Sequence, residues 1–63
     1  MTPNPEYIVE PLGCFFAYEW GCSYASAFDR AKVERAANEL RKHGYHPSEI
    51  RRRSDDGRFY VQF

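Results

Sequence analysis

The chain has 63 residues, nine basic and nine acidic side chains, and a formal net charge of zero. A chain of this length is one domain that buries about 60% of its unfolded surface, which leaves little volume for a shielded enzyme pocket. Neutrality argues against a protein that coats DNA, because such binding scales with the number of phosphates neutralised.

The charges are segregated along the chain. Residues 1–29 carry Glu6, Glu10, Glu19 and Asp29 with no Lys or Arg, a balance of −4. Residues 30–63 carry all nine basic residues against Glu34, Glu39, Glu49, Asp55 and Asp56, a balance of +4. One acidic and one basic patch are thereby permitted, and such patches orient encounters. Residues 1–20 lack the basic start and continuous apolar core of a secretion signal, so a soluble cytoplasmic protein is expected. In a reducing compartment Cys14 and Cys22 are expected as free thiols, although a bridge is open if the chain turns back between them.

In chain order, residues 1–5 carry Pro3 and Pro5 and read as a flexible lead-in. Residues 6–10 alternate, with Tyr7 and Val9 on one side and Ile8 on the other, which predicts a short strand. Pro11, Leu12 and Gly13 break it. Residues 14–20 predict a second, aromatic-rich strand, hairpinned to the first. A helix is predicted over 27–43, with Ser26 as N-cap and Asp29 three residues on as a capping-box partner. Phe28, Val33, Ala36, Ala37 and Leu40 form its apolar stripe, and Gly44 terminates it. Residues 48–54 form a weaker strand anchored by Ile50. Asp55, Asp56 and Gly57 then supply turn chemistry before a strand over 58–63. The expected fold is α+β in ββαββ order: a four-stranded, largely antiparallel sheet with one helix packed on one face.

The stretch from Ala31 through Leu40, then His43, Gly44 and Tyr45, then Gly57, Arg58, Phe59, Tyr60 and Val61, resembles the helix–Gly–strand–turn–strand half of a SPOR-type peptidoglycan-binding domain. The resemblance covers about half the chain and implies this local fold. The predicted strand over 14–20 has no counterpart in that family.

Eleven residues are Phe, Tyr or Trp. In the second strand Cys14, Phe16, Tyr18 and Trp20 share one face, and Phe15, Ala17 and Glu19 the other. Either set could face inward, but a two-layer domain has one interior, so surplus rings need another cover. In the last strand Phe59, Val61 and Phe63 belong under the helix with Ile50. Tyr60 and Gln62 then lie beside Arg51 and Arg53 on the opposite face. The expected partner-binding residues are therefore Tyr18, Glu19, Trp20, Arg51, Arg53 and Tyr60.

Two functional classes follow. The first is a non-enzymatic protein-interaction module that binds and occludes a partner, such as a nucleic-acid-processing complex, or pairs as a homodimer. Its economy of size and composition is that of phage-encoded inhibitors of host defence, anti-CRISPR proteins among them. The second is a small RNA- or DNA-binding module using the Arg51 to Arg53 strand and Tyr60. Cys14, Cys22, His43 and His46 lack the tight pairing of zinc ligands, so no metal or cofactor is expected. No nucleophile, base and oxyanion pattern is present, so no catalytic residue is assigned.

Overall fold

The computed structural model describes residues 4–63. The chain opens with a helix, α1 (Pro5–Val9), where alternation had suggested a strand. Asn4 caps it, its Oδ1 accepting from the Glu6 N–H at 3.0 Å, and Pro5 supplies a preset φ in the first turn. A 3-10 turn (Glu10–Leu12) continues it and closes at Gly13, whose φ of +86° suits glycine. Five alternating residues are too few to establish a period. Ile8, Val9 and Leu12 instead reach the core at helical spacing. Of the expected lead-in, residues 1–3 lie outside the described residues, while Asn4 and Pro5 begin α1.

The aromatic strand, β1 (Phe15–Glu19), pairs forward with β2 (Cys22–Ala27) and not back toward residues 6–10. Glu19 stands opposite Cys22, leaving the two-residue loop Trp20-Gly21, with φ of +54° and +76°. Two positive φ values match the primed turn that follows the natural strand twist. Ser26, expected as the helix cap, is a strand residue paired with Phe15 and Tyr60. The main helix, α2 (Arg30–Lys42), is capped by Asp29, whose Oδ1 accepts from the Ala31 N–H at 2.9 Å. Both residues are competent caps; pairing of β2 on both sides decides between them.

After α2, β3 (Arg51–Arg52) and β4 (Phe59–Gln62) complete an antiparallel sheet of order β1-β2-β4-β3. The α+β class and four-stranded sheet stand as expected, with α1 added ahead of the ββαββ order. The helices share one face: α2 packs on β2 and β4, and α1 on α2 and β1.

The buried core is Val9, Cys14, Ala25, Ala27, Val33, Ala36, Ala37, Leu40 and Val61. None of the eleven aromatic side chains is in it. Phe16, Tyr45, Phe59 and Phe63 pack around its rim, with Ile50. There the Phe63 ring lies 6.3 Å from Phe16 and 5.6 Å from Tyr45. Phe28, expected on the helix stripe, lies outside the helix and is 65% exposed.

Asp29→Ala is expected to lower the unfolding free energy by about 1 kcal/mol, as for other lost N-caps, with a smaller loss in Ser26→Ala. Urea titrations followed by circular dichroism measure both, and the reverse ranking would return the cap to Ser26.

Candidate functional site

The face of the sheet opposite the helices has no cover among the described residues. Register places Phe15, Ala17 and Glu19 of β1 on it, followed by Cys22, Tyr24 and Ser26 of β2. Tyr60 and Gln62 of β4 join them, and Arg51 stands across from Tyr60. Tyr24 and Tyr60 lie on the two central strands with ring centroids 6.2 Å apart. At one end the Arg58 guanidinium sits 5.2 Å from the Phe15 ring and 5.7 Å from the Phe28 ring. That geometry is a cation–π sandwich, yet Phe15 remains 56% exposed.

Charge on this side is organised by the β3–β4 turn. Asp55 accepts two bonds from Arg53, at 3.3 Å from Nε and 3.1 Å from Nη2. Asp56 accepts from the Arg58 backbone N–H at 3.0 Å and from its Nε at 2.7 Å. The Arg53 side chain holds the Asp55 carboxyl below its ordinary range; the Arg58 backbone N–H, then its guanidinium, does the same for Asp56. Arg53 is correspondingly raised, by Asp55 first. Arg51, by contrast, makes no ion pair or side-chain hydrogen bond among the described residues. Between turn and sheet lies an open groove of about 520 Å³, lined by Glu19, Tyr24, Ser26, Tyr60, Arg53 and Asp55 among others.

Of the residues expected from the sequence, Glu19, Arg53 and Tyr60 meet in this groove, and Arg51 shares its face. Tyr18 and Trp20 do not. Tyr18 lies on the helix-side face of β1, 67% exposed, and Trp20 is the hairpin tip, 98% exposed. One expected patch is therefore two. Phe28, Arg58 and Tyr24 belong to the uncovered face but were not singled out from the sequence. The signal for Tyr24 was the run Ser23, Tyr24, Ala25, Ser26, Ala27, where Ser23, Ala25 and Ala27 share the helix side.

Trp20 combines full exposure with a positive φ, a conformation costing a residue with a Cβ roughly 1–2 kcal/mol. At 98% exposure the indole buries almost none of its surface against the fold, and such outliers cluster at functional sites. The thiols are free and lie on opposite faces. Cys14 is buried, its Sγ 3.4 Å from the Lys32 carbonyl oxygen, and burial pushes its thiol up. Cys22, on the uncovered face, accepts from Gln62 Nε2 at 3.0 Å. Among the described residues no three His, Cys, Asp or Glu side chains converge on a metal-sized site.

Trp20→Asn, which restores the Asn-Gly pair favoured in this turn, is expected to raise stability by about 1 kcal/mol, read as a higher Tm; a lower Tm would show that the indole supports the fold. For the acidic turn, depressed folded-state pKa values mean that the stabilisation is present above the ordinary aspartate value of 3.8 and is lost as pH falls below it. The Tm advantage of the natural chain over Asp56→Asn should hold at neutral pH and vanish in strong acid; an advantage independent of pH would contradict the ion-pair account.

The chain matches no protein-family model, no curated protein and no solved structure.

Proposed function

We propose that the protein is a non-catalytic binding module whose uncovered sheet face docks on a partner protein and occludes it. The observation that carries this proposal is the distribution of rings. Phe15, Phe28, Tyr24 and Tyr60 share the one face that neither helix covers, with Arg58 stacked among them. Aromatic and arginine side chains supply most of the energy at protein interfaces, and exposed apolar patches on small proteins mark such contacts. Arg51, Arg52, Arg53 and Arg58 stand against Glu19, Asp55 and Asp56, which suits a partner surface of mixed charge. The mode of action is steric, in the manner of small phage-encoded inhibitors of host enzymes such as CRISPR effectors. A cytoplasmic setting accords with the free thiols.

A second reading has one specific observation behind it. Tyr24 and Tyr60 on the two central strands occupy the placement from which RNA-binding sheets stack bases. Arg51 on the same face and Arg52 in the groove lining are then cations available for phosphate. The three carboxylates on the same side oppose a phosphate chain, which ranks this reading second.

A photo-reactive phenylalanine analogue at Phe28, on the uncovered face, is compared with one at Arg35, on the solvent side of α2. In extract of the source cell the Phe28 probe should yield one discrete protein adduct, resistant to nuclease and lost in a folded Tyr24→Ser variant. The Arg35 probe should yield none. Equal labelling from both positions, or no adduct from Phe28, would overturn the proposal. A nuclease-sensitive adduct, with salt-dependent binding of a labelled single-stranded oligonucleotide, would establish the second reading in its place.

A further inference from the structure

The edge of the sheet offers a separate surface, defined by backbone groups. Ser23 of β2 exchanges both backbone hydrogen bonds with Phe63, at 3.2 and 2.9 Å. In an antiparallel ladder bonding direction alternates residue by residue, so Cys22, Tyr24 and Ser26 bond toward β1. Their partners Glu19, Ala17 and Phe15 therefore spend their amides and carbonyls on β2. Phe16 and Tyr18 point theirs the other way, to the edge that no described strand occupies. The preceding outward amide, that of Cys14, is already taken by the Val9 carbonyl at 3.2 Å. The free edge is thus a two-residue window with two donors and two acceptors. Within it Ala17 and Tyr18 are exposed, and β1 carries no lysine, proline or bulge to blunt it.

We propose that this window is a homodimer contact, in which β1 of a second copy pairs antiparallel about a two-fold axis at Ala17. Only the register that sets Phe16 against Tyr18 of the second copy uses all four backbone groups in each chain. Moving the axis to either neighbouring residue calls on the occupied Cys14 amide or on the Trp20 turn. Side chains agree with this register. On the helix side Phe16 meets Tyr18 of the second copy, an aromatic cross-strand pair. On the uncovered face Glu19 comes opposite Phe15 of the second copy, beside the Arg58 stacked on that ring. The contact is therefore charge-complementary twice over. At the axis Ala17 faces Ala17, small enough for close approach. The product is a continuous eight-stranded sheet, with two uncovered faces side by side as a bivalent surface.

The dimer does not depend on the partner of the preceding section, so the two proposals fail separately. Sedimentation equilibrium of the full chain across a micromolar series should show monomer and dimer in reversible exchange. Tyr18→Pro removes an outward amide without touching the β1–β2 ladder, and should weaken association at least tenfold while circular dichroism is unchanged. As a register test, Ala17→Cys in a Cys22→Ser background should oxidise to a disulfide-linked dimer, whereas Phe28→Cys in that background should not. A natural chain that stays monomeric at the highest concentrations would overturn the proposal. So would Ala17→Cys cross-linking no faster than Phe28→Cys.

Discussion

The structure depends on how closely α2 lies on the sheet. Ala25 and Ala27 of β2 and Ala36 and Ala37 of α2 are all buried, with only Val9, Val33, Leu40, Val61 and Cys14 to fill the remaining space. Alanines on both layers let the backbones approach, and no ring is among the buried residues. Packing near crystal density tolerates no extra methylenes without strain, so an aromatic residue forced into this seam would separate the layers. The rings are left at the rim and outside.

That exclusion sets the functional character of the surface. Phe16, Tyr45, Phe59 and Phe63 close the rim of the core and extend its apolar volume. Phe15, Phe28, Tyr24 and Tyr60 gather on the far side of the sheet, where the acidic turn at Asp55 and Asp56 holds Arg53 and Arg58 in place. Pre-set guanidiniums lose less freedom on binding than free ones. Trp20 stands apart at the hairpin tip, held in a strained turn by its neighbour Gly21. The free edge of β1 separates these two aromatic regions and joins them to a second copy in the proposed dimer.

The class of fold was legible in the sequence because helix periodicity from Val33 to Leu40 and the Asp-Gly turn before β4 are strong local signals. The identity of the first hairpin was not. Residues 6–10 alternate by chance over a span shorter than two helical turns, while the decisive cue, Asn4 followed by Pro5, lay just before them. β2 was hidden for the opposite reason: Ser23, Ala25, Ser26 and Ala27 have little strand propensity, and its inward positions are small because α2 presses on them. Of the candidate site, Arg51, Arg53 and Tyr60 were legible through β4 alternation and the arginine run, and Glu19 through alternation along residues 14–20. Tyr24, Phe28 and Arg58 were not, since their common face exists only once β2 is a strand.

The central claim is that the fully buried interior holds no aromatic ring and that Phe15, Tyr18, Trp20 and Phe28 stay exposed. Hydroxyl-radical footprinting with mass-spectrometric readout, at a concentration below self-association, addresses it residue by residue. Phe15, Tyr18, Trp20 and Phe28 should be oxidised about as fast as in the unfolded chain, while Val61 and Leu40 are protected. Protection of those four rings in the isolated monomer would contradict the account.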